Sequence, residues 1–265
     1  MATAPALDLP PPFRLVTLRE VGDAMAHATE IAAEEGAGTL VHVGRFDLAE
    51  FAIVLEPDEP LWQARRVIYA GSAALADALA VHAPPERPIA FDWPDAIRID
   101  GGLVGGVRLE WPVGADENEP APWLVFGAMI RTVAMGDEEP GLRPLSAALE
   151  DEGFDGLDSG RLVESFARHL MSAIDVWHES GFGEIEKNYL ARLSPSLPSP
   201  SERAFTPVFD GLYGGGIGGG IRRSIDENGD LLLQRMTGKE PVRHSLVSAL
   251  SRVSWLDPET GAPRK

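Results

Sequence analysis

The sequence predicts a mixed α and β protein: an α/β main domain, a linker and a small β-rich cap. Three observations carry this. Short apolar runs with strand-like patterning are interleaved with segments whose apolar residues recur at helical spacing. The stretch Ser194–Pro207 (SPSLPSPSERAFTP) is rich in Pro and Ser, as linkers are. Asn228-Gly229 stands between two apolar runs, the pattern of a tight hairpin turn. With 265 residues, 44% of them hydrophobic, the chain can bury one full core and a smaller second one.

Taken in order, Phe13–Val21 reads as a first strand. Asp23 offers an N-cap to a helix carrying Ala24, Ala28, Ile31 and Ala32, which Gly36 and Gly38 end. Strands follow at Thr39–Val43 and Phe51–Leu55. A periodic helix runs from Leu61 to Ala80, with Leu61, Ala64, Ile68, Leu75 and Leu79 on one face. Short strands are expected at Ile89–Phe91 and Ile97–Ile99, a turn at Asp100-Gly101-Gly102, and strands at Leu103–Glu110 and Trp123–Val133. A long helix, Arg161–Glu179, starts at Asp158/Ser159 and turns Leu162, Phe166, Leu170, Ile174 and Trp177 inward. After the linker come strands Ile221–Ile225 and Leu231–Gln234 and a short helical pattern, Ser245–Val253. The expected division is a tail (1–12), a main domain (13–193), the linker (194–207) and a C-terminal domain (208–265).

Charge narrows the function. With 41 acidic against 23 basic residues the formal net charge is −18, a field that repels nucleic acid and anionic lipid surfaces. No cysteine is present, which excludes disulfides, thiolate metal sites and a cysteine nucleophile. The Ala/Pro-rich start lacks the basic and apolar regions of a signal peptide, and the longest near-apolar run, Ala121–Ile130, is about half the ~20 residues of a membrane span. The expectation is a cytoplasmic protein. The six histidines show no helical metal-ligand spacing, and no metal site is expected. Asp226, Asn228 and Asp230 imitate the start of a calcium loop, but Leu231 stands where that loop needs glycine, so a hairpin is favoured. Gly214–Gly220 reads as a connector or bulged turn, because no Gly-Lys-Ser/Thr follows it.

Phe91–Glu110 (FDWPDAIRIDGGLVGGVRLE) resembles the signature of biotin protein ligases, K-W-P-N-D followed by a hairpin and K-[LV]-A-G-I-L-x-E. Trp93-Pro94 falls on W-P, Gly106 on the signature glycine and Glu110 on the closing acid. Glu20–Ala28 resembles the family's E-x-x-S-T-N/M-x-x-A helix start, and Trp123–Val133 its G-I-G-x-N-V strand. Ile225–Leu232 resembles the hairpin of its SH3-like C-terminal domain. The resemblance to the biotin/lipoate protein ligase family implies an α+β fold: a central mixed sheet flanked by helices, with a small C-terminal β-rich, SH3-like domain.

The departures concern chemistry. The resemblance puts Leu103 where the family has the lysine that contacts the reacting carboxylate and α-phosphate, and leucine cannot stabilise developing negative charge. Asp92 replaces the lysine before W-P, Asp23-Ala24 the Ser-Thr pair, and His42–Phe46 retains at most one G-R of the phosphate-cradling loop. Arg131 stands at the family asparagine and Met129 at the second glycine of that strand. Arg45 and Arg131 are the candidate replacement cations. Arg108, five residues from Leu103, is expected on the opposite strand face. Candidate ligand-binding residues are therefore Arg45, Trp93, Gly105, Gly106 and Arg131, with no catalytic residue assigned. By resemblance alone, biotin, lipoate or ATP are the ligands to consider, and partners are a small carboxylic acid or a biotinyl/lipoyl carrier-type protein. Such carriers tend to be acidic, so docking one needs a local basic patch. The first expectation is a binding module without ordinary adenylate-forming activity. The alternatives are an active, divergent ligase or acyltransferase with arginines in place of lysine, and a structural subunit of an assembly.

Overall fold

The computed structural model describes residues 7–135, 145–194, 221–235 and 240–264. The strands of the main sheet are β1 (Arg14–Leu18), β2 (Thr39–Val43), β3 (Leu48–Leu55), β4 (Ile89–Asp92), β5 (Ala96–Ile99), β6 (Gly102–Glu110) and β7 (Leu124–Arg131). Their spatial order is β1-β2-β3-β7-β6-β5-β4. β1 runs parallel to β2 and the other neighbours pair antiparallel, so the sheet is mixed, as expected.

Helix α1 (Ala24–Glu35) forms the crossover that a parallel β1–β2 pair requires. Asp23 caps it as the sequence predicts, its carboxylate accepting the Ala26 N–H at 2.9 Å. The periodic segment 61–80 forms two helices, α2 (Leu61–Ala64) and α3 (Val67–Ala80). Between them Arg66, Ile68 and Tyr69 donate to carbonyls three residues back, a tightened turn that re-aims the chain. α3 is then buried on nearly every side, from Val67 to Leu79, so a single apolar face understates it. Gly71 lets it approach the sheet; a Cβ there would lie 2.2 Å from Phe126.

α4 (Ser159–Ser180) is capped by Asp158, which accepts the Arg161 N–H at 2.8 Å. Leu162, Phe166 and Leu170 are buried, while Ile174 and Trp177 pack at the core's edge. Gly181 then turns the chain, φ +79°, into α5 (Phe182–Ala191), a helix the sequence reading did not expect. Its two buried residues, Ile185 and Tyr189, give only one helical repeat of apolar signal.

The C-terminal sheet comprises β8 (Ile221–Ile225), β9 (Leu231–Arg235) and an unanticipated third strand, β10 (Val242–His244), followed by α6 (Leu246–Leu250). The hairpin joins β8 to β9 as expected, but through a longer loop than a two-residue turn. Ile225 pairs with Leu231, the Asp226 carboxylate accepts the amides of Asn228 and Asp230, and Gly229 takes the left-handed conformation at φ +82°. Ile225, Leu231, Leu233 and Leu246 join the main core instead of forming one of their own. The Tyr69 hydroxyl ties the two sheets together, donating to the Gly229 carbonyl at 2.5 Å. Most of the expected linker, and the Gly214–Gly220 run, lie outside the described residues.

The main sheet has two dissimilar faces. Leu40, Phe51, Ile53, Val104, Val107, Phe126 and Ile130 face the core under α3, α4 and α5. On the outer face α1 covers Val41, Val43, Ala52, Val54 and Val125. Ala96, Leu103 and Met129, further along that face, meet the C-terminal segment. No helix among the described residues is long and apolar enough to cross a membrane.

Candidate functional site

Strand register places the outer-face residues in rows. Glu50 stands opposite Met129, Met129 opposite Gly106, Gly106 opposite Ala96, and Ala96 opposite Asp92. The neighbouring row is Ala52, Gly127, Arg108, and the next Val54, Val125, Glu110. Between the cover supplied by α1 and that supplied by the C-terminal segment, a gap remains beside Arg108 and Glu110, at the β6 end of the last two rows.

A β-bulge decides which side chains line the gap. Between β5 and β6, Ile97 pairs with Gly105 but Arg98 with Leu103, leaving Val104 as the extra residue. Val104 and Val107, three apart, therefore both enter the helical core. Leu103, Gly106, Arg108 and Glu110 share the outer face. Strict alternation had put Arg108 opposite Leu103; the bulge reverses that expectation. Glycine is required at the bulge, since Gly105 has φ +152° and a Cβ there would lie 1.9 Å from the Met129 carbonyl oxygen.

The C-terminal segment lies directly on the signature strands. Trp255 is buried against Ala96 and Leu103, and its indole N–H donates to the Val107 carbonyl at 3.0 Å. Ser254 donates its amide and hydroxyl to the two carboxylate oxygens of Asp95, at 2.8 and 2.6 Å. Arg131 donates to the Pro263 carbonyl at 2.6 Å, the Arg264 carbonyl at 3.1 Å and the Ala147 carbonyl at 3.1 Å. Beside this cover a cavity of about 180 Å³ remains, lined by Asp95, Arg108, Glu110, Leu250, Ser251 and Val253 among others.

The electrostatics of the outer face are mixed. Glu50 is buried and accepts the Ala24 N–H at 2.9 Å; burial holds its carboxyl above the ordinary range, and the Ala24 bond opposes that rise. Burial likewise raises Asp95 to about 6, against the opposing pull of its Ser254 bonds. Arg108 donates to Glu110 at 2.8 Å, and Glu110 also accepts from Thr29 of α1 at 3.4 Å. Asp92 is buried and paired with Arg98 through one oxygen, the other having no hydrogen-bond partner.

The five residues proposed from sequence do not all converge. Gly105 and Gly106 lie under the Trp255 cover, and Arg131 sits at its edge, buried and bonded to tail carbonyls. Arg45 lies on the β2–β3 loop, forked onto Asp47 at 3.1 and 2.8 Å. That loop is anchored by Ser159, whose hydroxyl donates to the Arg45 carbonyl at 3.1 Å and lies 3.3 Å from Nε2 of His42, an imidazole that burial pushes below its ordinary range. Trp93 is in the helical core, its indole N–H donating to the Tyr69 hydroxyl at 2.9 Å. Sequence reasoning missed Glu50, Asp95 and Trp255, and set Arg108 aside as facing away. Trp255 had a signal, an indole beside Leu256 in an otherwise polar tail, but no local pattern says which strand it covers.

A mixed sheet with a helical layer on one face, a bulged glycine pair at its signature strand and a C-terminal unit folded onto it define a ligase-type architecture. The biotin/lipoate A/B protein ligase family model matches residues 9–191, and the chain belongs to that family. It is 26% identical over 195 residues to a Paracoccus denitrificans biotin–[acetyl-CoA-carboxylase] ligase, covering 72% of this chain and 75% of that protein. Among solved structures it is similar to a biotin protein ligase-like protein of unknown function from Silicibacter sp. TM1040, at TM-score 0.72 and 25% identity, over 92% of this chain and 98% of the other. The fold is also that of Aquifex aeolicus biotin protein ligase, at TM-score 0.60 and 16% identity, over 88% and 99% of the two chains.

Proposed function

We propose that this protein keeps the ligase fold without ordinary adenylate-forming activity and acts as a cytoplasmic binding module for a small carboxylic acid or a biotinyl/lipoyl carrier-type protein. The observation that supports it most is the packing of Leu103 against Trp255. At the position the signature gives to lysine, an aliphatic side chain lies against a buried indole. The two arginines offered from sequence as replacements have other work, Arg45 on Asp47 and Arg131 on the tail carbonyls. The fold and its glycine pair are retained while the charge that adenylation needs is not.

The test is pyrophosphate release from ATP with biotin, lipoate or octanoate, together with thermal stability in ATP and in the pre-formed acyl-adenylates. A ligand at 100 times its dissociation constant raises stability by about 2.7 kcal/mol, a readable shift. The expected result is no pyrophosphate and no shift with any nucleotide. Pyrophosphate released in proportion to enzyme, or a shift with an acyl-adenylate, overturns the reading.

A second reading, an active divergent ligase, is favoured by the similarity to the Paracoccus ligase and by a cation the bulge brings to the outer face, Arg108. It predicts ATP-dependent acylation of a carrier lysine that Arg108→Leu abolishes.

A further inference from the structure

Arg108 is the one place where this chain sets a charge into the outer-face cavity at a position the quoted signature fills with an aliphatic residue. Of its guanidinium nitrogens only Nη2 has a hydrogen-bond partner among the described residues, Glu110. Nη2 carries two hydrogens and Glu110 takes one, so one of the two parallel donor pairs that Nη2 forms, with Nε or with Nη1, stays open to a planar carboxylate. The wall opposite is the C-terminal segment, where Leu250 and Val253 supply apolar surface.

We propose that Arg108 anchors a short monocarboxylic acid in this cavity, its carboxylate on the guanidinium and its alkyl end against Leu250 and Val253. This rests on the binding-module reading and names the ligand class of that site. Size sets the length: about 180 Å³ lies well below the ~300–1,000 Å³ of clefts for drug-sized ligands. That volume suits an acid of a few carbons better than a nucleotide. Charge sets the valence. Among the described residues Arg108 is the one cation lining this cavity, beside the carboxylates of Glu110 and Asp95, so a second carboxylate on the ligand finds no cationic partner there.

Calorimetric titration of the full chain with acetate, butyrate and hexanoate, with butyramide and succinate as controls, tests this. Butyrate is expected to bind saturably, and butyramide and succinate to bind at least tenfold more weakly. Arg108→Leu should weaken butyrate at least tenfold, and Arg108→Lys should retain part of the affinity. Ser251→Phe, which fills the cavity from the tail side without touching the arginine, should abolish binding if Arg108→Leu proves unfolded by circular dichroism. No saturable binding of any acid, equal binding of butyramide, or undiminished butyrate binding in both Arg108→Leu and Ser251→Phe overturns the proposal. Biotin binding more tightly than butyrate through Arg108 overturns it as well. Pyrophosphate release on the same samples separates the two readings. Its presence sinks the inactive-ligase reading whatever butyrate does, and its absence together with no acid binding sinks this inference alone.

Discussion

The indole of Trp255 lies against Gly106 so closely that a methyl group on the glycine would sit 2.3 Å from the indole Cδ1. The same added atom would lie 2.2 Å from the Asp95 carbonyl oxygen, which belongs to rigid backbone. This contact seals the signature strand, because Trp255 is 1% exposed and its N–H is spent on Val107.

Gly106→Ala should therefore be far more costly than its size suggests. Overpacking of a filled site costs about 1–3 kcal/mol, and here the tail must lift or the strand must shift. The midpoint of urea unfolding should fall, with faster amide hydrogen exchange confined first to residues 254–264. An unchanged midpoint would mean that neither the Asp95 carbonyl nor the Trp255 indole crowds this position in solution.

Restoring the family cation should not restore the family chemistry. Leu103 is buried among Ala96, Met129 and Trp255. Leu103→Lys places an ammonium in apolar surroundings, and a buried charge without a partner is strongly disfavoured. The expected outcome is a loss of about 2–4 kcal/mol in chemical denaturation, with a depressed lysine pKa softening the cost. No pyrophosphate release should appear. Release by this single variant would mean that the site is intact apart from one residue.

Much of the fold was legible because its cues are local. Asp23 and Asp158 are caps whose side chains meet the amides that their positions imply. Thr39–Val43 is a strand with the predicted limits. The site was less legible because it depends on one extra residue and on a distant segment. The bulge at Val104 inverts the faces of Arg108 and Glu110, and nothing in GLVGGVRLE distinguishes a bulge from regular alternation except a glycine pair, which has other uses. Trp255 reaches Val107 across 148 positions of sequence. Helix α5 was missed for a related reason, since its exposed residues carry no periodic apolar signal.

Tyr69 couples the two sheets through one hydroxyl. It accepts the Trp93 indole N–H at 2.9 Å and donates to the Gly229 carbonyl at 2.5 Å, all in a buried setting. Tyr69→Phe leaves an indole donor and a loop carbonyl without their partner. Buried groups so orphaned cost about 1–3 kcal/mol. Calorimetry should show a lower melting temperature, with the 226–230 loop amides exchanging faster than in the parent.

Asp95 gives stability a pH dependence of defined sign. Burial raises its carboxyl to about 6 in the folded protein, against an ordinary value of 3.8. The folded state thus holds the proton more tightly than the unfolded chain. The resulting stability is fully present below the unfolded value of 3.8 and is lost as pH rises through 6. At roughly 1.4 kcal/mol per pKa unit, the change between pH 4 and pH 7 is on the order of 2 kcal/mol. Asp95→Asn keeps the shape and an oxygen for Ser254 but cannot ionise. The stability difference, parent minus variant, should therefore shrink by that amount from pH 4 to pH 7, other titrating groups being common to both proteins. Urea melts of the pair across that range measure it. A difference independent of pH would mean that the Asp95 carboxylate is as well solvated in the folded protein as in the unfolded chain, and that the Ser254–Trp255 segment does not stay closed over it.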